Sequence, residues 1–387
     1  MKRIFISTGE VSGDLQGALL VTALYQAAHQ KNIEIEIVAL GGDKMAAAGA
    51  KLLGNTTGIG SMGIVEALAF VGPTVKLQRQ AKQYLQLNSP DAIILIDYMT
   101  PNMVIGKFVK QAFPNIPVFY YIAPQQWVYA FSDKDTQSII GFTDQIFAVF
   151  PAEATFFAAK GGNAKFVGHP LIDRMATCPT RAAARSSLGI PDDEIAIALI
   201  PASRWQELKY LMPAMFEAAQ RLQTQLPQVR FWIPLSREEY RESIQKAIGH
   251  YQLAATLVSD QPDAVLAAAD LAITKSGTVS LELGLLNVPH MVIYKFSPIT
   301  AWLARNILRV TYPFISPVNL AEMKPIITEL VQEEANPDRI VAESLELLQN
   351  PERRTKMLAD YGEMRQAFGA PGVCDRVATE ILEKLRA

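Results

Sequence analysis

Short, nearly unbroken apolar runs alternate with longer stretches that are apolar along one stripe only. In the first half the runs are "RIFIST" (3–8), "IEIVAL" (35–40), "AIILID" (92–97), "VFYYIA" (118–123) and "QIFAVF" (145–150). They are rich in β-branched and aromatic residues and lack the polar alternation of a half-exposed strand, which predicts a parallel sheet covered on both faces. Between them lie helical patterns such as "LQGALLVTALYQAA" and "VIGKFVKQAF". The repeating unit is strand–helix–strand, so the expected class is α/β, doubly wound. The rhythm breaks at 168–194, a polar, proline-punctuated stretch that reads as a linker. A second set follows: "IAIALIP" (195–201), "VRFWIP" (229–234), "ATLVSD" (255–260), "LAIT" (271–274) and "HMVIYK" (290–295), with three amphipathic helices to close the chain. The expected layout is two Rossmann-like domains, 1–175 and 176–350, facing across a cleft, with helices at 351–387 packing back on the first. Ligands of such sheets bind beyond the carboxyl ends of the strands.

Composition sharpens this picture. The chain has 387 residues, about twice what one core supports. Half are hydrophobic and the net charge is −2, which argues against disorder and against a nucleic-acid partner. Cys178 and Cys374 have neither pairing nor metal-ligand spacing, so reduced thiols in a cytoplasmic protein are expected, with no metal and no cofactor. The apolar run after Lys2 and Arg3 is only strand length, unlike a signal peptide. No stretch reaches the roughly 18 uncharged apolar residues of a spanning helix.

The informative motifs follow predicted strands. In "GEVSGD" (9–14), Ser12 can cap the next helix, Gly13 lets a ligand approach the backbone, and Glu10 satisfies no helix donor; plain strand-to-helix capping is an even alternative. Asp97 ends a buried strand too early to cap the helix expected near Pro101, which favours a general base or substrate anchor. Gln125, beside Trp127, offers a sugar hydrogen bonds and stacking, or simply packs. Arg204 lies near a helix start, where a cation wants an anionic partner: a phosphate, or Glu207 three residues on. In "TKSGTVSLELG", Ser276 caps a helix, Gly277 and Thr278 present its first N–H groups to an anion, and Glu282 shares a face with Thr278. A ribose near Glu282 and a capped helix with a spare acid are both open. His169, at the domain junction, reads as structural more readily than catalytic. Two stretches, 61–72 and 299–310, read as core helices or as a face for a lipid.

Taken together, "GEVSGD", "SMGIVEAL", "ILID" with Asn102, "VGHPLID", "SRWQE", "SGTVSLELGLLNVPHMVIYKFSP" and "FISPVNL" resemble the lipid-A-disaccharide synthases, glycosyltransferases of the two-Rossmann (GT-B) type. The resemblance implies transfer of 2,3-diacylglucosamine from its UDP-activated form to 2,3-diacylglucosamine 1-phosphate, giving a β-1,6 disaccharide and UDP. It implies Asp97 as base, Glu10 as a second acid near the sugars, and Arg204, Ser276, Gly277, Thr278 and Glu282 around UDP. Ser12, Gly13, Asp14, Met62, Asn102, Gln125, His169, Glu207 and Asn319 become further substrate-binding candidates. Its partners would be a UDP-sugar donor, a lipid acceptor and the inner surface of the cytoplasmic membrane, where the protein would sit peripherally; a homodimer stays open. The pattern departs at Ala202, usually glycine, in the loops "APQQWVYA" and "DYMTPN", and in "VNLAEMKPI", which loses a glycine and an arginine and offers Lys324 as a candidate substitute. Two other readings remain: a GT-B enzyme on a soluble UDP-sugar, epimerase-like, and a non-catalytic relative that binds a nucleotide-sugar or lipid.

Overall fold

The computed structural model describes residues 1–59, 70–128, 133–306 and 313–385. The chain divides into two compact units, Met1–Asp173 with Ala367–Ala387, and Arg174–Gln366. The first is a seven-stranded sheet in the order β3-β2-β1-β4-β5-β6-β7. Its strands are β1 Lys2–Ser7, β2 Ile35–Gly41, β3 Lys51–Asn55, β4 Ala92–Ile96, β5 Val118–Tyr121, β6 Gln145–Ala148 and β7 Ala164–Phe166. The second is a six-stranded sheet in the order β10-β9-β8-β11-β12-β13. Its strands are β8 Ile195–Ile200, β9 Val229–Pro234, β10 Ala255–Val258, β11 Leu271–Lys275, β12 His290–Tyr294 and β13 Glu329–Val331. Every pairing in both sheets is parallel. Strand β4 is buried along its whole length, as its continuous apolar run predicts. One face of the first sheet packs Phe5, Ile93, Leu95 and Tyr120 against Leu85 and Ile105 of the flanking helices.

Two expectations need correction. Residues 168–194 do carry the chain from one unit to the other, at Asp173–Arg174, but not as a solvated linker. They form the helices Leu171–Met175 and Arg181–Leu188. Ala184 and Ile190 enter a core cluster with Ala264, Ala267 and Ala268. The buried Arg185 guanidinium donates to the carbonyls of Pro191 and Glu194 and pairs with Asp270 at 3.1 Å. The polar side chains that suggested a solvated connection are thus internal partners. The segment that returns to the first unit begins at Ala367, not at 351: the helix Pro351–Ala367 belongs to the second unit almost to its end. The last helix, Val373–Lys384, buries Val373, Val377 and Ile381 and pairs Glu383 with Lys31 and Glu380 with Lys165. Such exposed ion pairs are worth about 0–1 kcal/mol, so the apolar face does most of the holding.

Candidate functional site

In each sheet the strand order reverses at one place, between β1 and β4 and between β8 and β11. The crevice beyond the carboxyl ends of such a strand pair is where open α/β sheets bind ligands. Four motifs singled out in the sequence arrive at these two places. Ser7 is in register with Leu95, so Glu10 and Asp97 follow from adjacent strand ends. Thr274 is in register with Ile200, so "SRWQE" and "KSGT" do the same in the second unit.

At the first reversal the backbone is strained. Glu10, Asp97, Tyr98 and Ile122 all have positive φ, 63°, 45°, 50° and 59°. For residues with a side chain this region costs about 1–2 kcal/mol each, and such strain persists only where the surroundings impose it. Here they do. The Asp97 N–H donates to the Ile122 carbonyl at 2.9 Å, and the Asp97 carbonyl accepts from Tyr120 Oη and Asn102 Nδ2, both at 2.8 Å. Both donors are buried. The Asp97 side chain itself is exposed, and the helix that follows, Met99–Ala112, is capped by no side chain. A carboxylate is therefore presented to solvent from a rigid strand end, as a base or anchor needs.

Several expected ligand residues turn out to build this frame. Asn102 is fully buried: its Oδ1 accepts from Ser7 Oγ at 2.7 Å and its Nδ2 also donates to Ser7 O and Ile96 O, tying β1 to β4. Asp14 accepts from the N–H groups of Gly42, Lys44 and Met45 and so caps the helix Asp43–Ala47. Ser12 caps nothing, because the helix Glu10–Gln30 begins two residues earlier, after Gly9. Gly13 is needed by the protein itself: a Cβ there would lie 2.0 Å from Thr8 Oγ1. His169 stacks on Phe368, ring centroids 4.8 Å apart, with Phe150 at its edge. Burial pushes its pKa down to about 3, which makes it a neutral packing group. The motif "VGHPLID" seats the returning tail, since Asp173 also accepts from the N–H groups of Gly372 and Cys374. Gln125 is half-buried in its loop; the inward residue is Gln126, which accepts from Thr136 Oγ1 at 3.4 Å. Met62 and most of 61–72 lie outside the described residues.

At the second reversal, Glu207 is buried and satisfies the start of its own helix, accepting from Ser203 N at 2.5 Å and Arg204 N at 3.1 Å. Its other oxygen holds Arg204 Nη1 at 3.0 Å. The plain alternative for Arg204, a pair with Glu207, is therefore formed. Ala202 is buried and has no left-handed backbone, so the backbone conformation there does not require a glycine. Ser276 does not cap: Gly277 occupies the cap position of Thr278–Leu285, and Ser276 Oγ donates to Ile315 O at 2.7 Å. Thr278 is half-buried at the first helical position. Glu282 is buried and pairs with Arg174 Nη1 at 2.7 Å; burial raises its pKa while Arg174 pulls it down. Asn319 is another frame residue, accepting from Ile326 N and Ile327 N and donating to Ile327 O and Glu329. Lys324 pairs with Asp360 and Glu363.

Sequence reading missed three charged groups here. Glu153 is buried and accepts from Ala123 N, Val149 N and Phe150 N, joining the loops after β5 and β6; burial pushes its carboxyl up to about 8 and the charge of Asp97 adds to the rise. Arg174 holds both Glu282 and Asp263. Lys275 ends β11 and is buried, and this one was visible: a lysine closing an apolar strand has to be accounted for. Among the described residues no cluster of three or more His, Cys, Asp or Glu could hold a metal, and no helix is long and apolar enough to cross a membrane.

Residues 4–380 match the family model described as Lipid-A-disaccharide synthetase. A lipid-A-disaccharide synthase of Gloeothece citriformis is 55% identical over 98% of this chain and 99% of its own length. One from Synechocystis sp. is 49% identical over 98% and 97%. Among solved structures, S. aureus MnaA with UDP superposes with a TM-score of 0.70 over 100% of this chain and 97% of that one, at 17% identity. A UDP-GlcNAc 2-epimerase from Neisseria meningitidis gives 0.61 at 13% identity, covering 99% and 100%. At such identities these two likenesses speak for the fold alone.

Proposed function

The chain belongs to the lipid-A-disaccharide synthase family, glycosyltransferases of lipid A biosynthesis, and on that premise we propose how its strand ends carry the reaction. The acceptor is 2,3-diacylglucosamine 1-phosphate and the donor is UDP-2,3-diacylglucosamine. Asp97 takes the proton from the acceptor 6-hydroxyl as that oxygen attacks the donor's anomeric carbon. The bond from that carbon to the diphosphate breaks, UDP leaves, and the new linkage is β-1,6. Glu10, on the neighbouring strand end, orients sugar hydroxyls. The start of the helix Thr278–Leu285 receives the diphosphate through its free N–H groups and dipole, and Arg204 adds charge beside its partner Glu207. Glu282 accepts from the ribose while remaining paired with Arg174. That S. aureus MnaA was solved with UDP fits a nucleotide-linked donor on this fold.

The observation that carries this reading is the convergence of Glu10 with Asp97, and of "SRWQE" with "KSGT", on the two places where strand order reverses. The acylated substrates place the protein at the inner surface of the cytoplasmic membrane, held peripherally. Val71, Val75, Ile299 and Trp302 are exposed apolar side chains that a lipid surface would cover. Asp97→Asn is the direct test. It keeps the shape and the backbone bonds, so folding should survive, while disaccharide formation falls by about a hundredfold or more. A rate within about tenfold of the parent would remove Asp97 from the role of base.

A further inference from the structure

Lys275 is the last residue of β11 and is 8% exposed. A buried ammonium needs a counter-charge or several acceptors, because removing it from water costs several kcal/mol. Lys275 has neither. Its nitrogen makes one long bond, 3.5 Å to the carbonyl of its neighbour Ser276, and among the described residues no carboxylate lies within ion-pair distance. The nearby acid Glu282 is taken by Arg174 at 2.7 Å, which also holds Asp263. The direction of the side chain is fixed by a second observation. Gly277, the cap of the helix Thr278–Leu285, has φ 156°, and a Cβ built there would lie 2.6 Å from Lys275 Nζ. The ammonium thus sits over the glycine that opens the helix, where the first N–H groups and the helix dipole already favour an anion.

We infer that Lys275 is a specificity-determining residue for the donor, its ammonium forming the ion pair with the nucleotide's diphosphate that Arg204, held by Glu207, only supplements. The inference rests on the UDP-linked donor proposed above. The missing counter-ion of the free protein is then supplied by the substrate. As the bond to the anomeric carbon breaks, charge builds on the departing diphosphate, and a point charge on a flexible stem can follow the oxygen that carries it. Gly277 leaves room for Lys275 to lie across the helix start; any side chain there would displace it.

The test compares UDP with uridine, measured by calorimetry on the full chain and on Lys275→Met, which keeps the apolar stem. The inference expects UDP affinity to fall about tenfold or more, as for a lost charge-assisted contact, with uridine affinity within about twofold. It also expects the unliganded variant to melt no lower than the parent, since an uncompensated buried charge has gone. Lys275→Gln should lose UDP affinity in the same way and serves if the methionine variant folds poorly. Unchanged UDP affinity in either folded variant, or an equal loss for uridine, overturns the role of Lys275 while leaving the donor reading intact. A parent chain that binds neither ligand overturns both.

Discussion

Asp97 owes its position to its neighbours, two of them, Asn102 and Tyr120, fully buried. Asn102 and Tyr120 hold its carbonyl, and Ile122 accepts its N–H. This explains why reading residues one at a time does not separate frame from site. Asn102, Asp14, Glu207 and Asn319 are polar residues in loops after strands, the pattern a ligand residue also shows; only the partners in the fold separate the two. The histidines give a prediction at this scale. Burial holds His169 at about 3 and His290 at about 4, against 6.5 for an unconstrained side chain. Between pH about 6.5 and those values the unfolded chain binds protons that the folded chain refuses. Stability from this source is therefore complete above about 6.5 and lost as pH falls below it, by up to about 1.4 kcal/mol per pH unit for each ring. Glu153, raised to about 8, works in the opposite sense between about 4.5 and 8, and is common to parent and variant. His169→Phe should keep the stack on Phe368 and show a shallower fall in melting temperature between pH 6.5 and 4.5. Parallel slopes for variant and parent would show that His169 takes up no proton on unfolding.

At the scale of elements, the turn from β1 into its helix is defined by one contact. Gly9 has φ −129°, extended backbone that any residue adopts, so its glycine is not required by conformation. It is required by Tyr98, whose ring carbons would lie 2.3–2.5 Å from a Cβ at that position. Gly9→Ala should therefore destabilise by about 1–3 kcal/mol in urea unfolding. Adding Tyr98→Ala should return most of that loss, so that the two changes are strongly non-additive. Simple additivity would mean that the ring moves aside without cost. The ten strands expected from apolar runs are all present; most, such as β4, β5 and β12, are buried on both faces, and little else has that composition. The three that sequence reading missed, β3, β7 and β13, are short and lie at sheet edges, where one side of the strand is unpaired and polar residues are tolerated. The stretch 168–194 misled for a related reason: its arginines and alanines look solvated until Arg185 meets the carbonyls it serves.

At the scale of the whole molecule, the chain is two parallel sheets of like design, with the last helix returned to the first. This much was legible, since two sets of alternating runs separated by a break can hardly be packed otherwise. The placement of the candidate motifs was legible too, because motifs that follow strands must emerge at carboxyl ends. What sequence could not supply was the order of the strands. That order decides which ends are neighbours, and it is what brings Glu10 beside Asp97 and Arg204 beside the helix of Thr278. The most direct test of the resulting account is one reaction. The purified chain is mixed with UDP-2,3-diacylglucosamine and 2,3-diacylglucosamine 1-phosphate in mild detergent, and the products are weighed by mass spectrometry. The account predicts a tetraacylated disaccharide phosphate and UDP in equal amounts, and no UDP release when the acceptor is withheld. UDP released without disaccharide, an epimerised donor, or unchanged substrates beside intact UDP binding would contradict it.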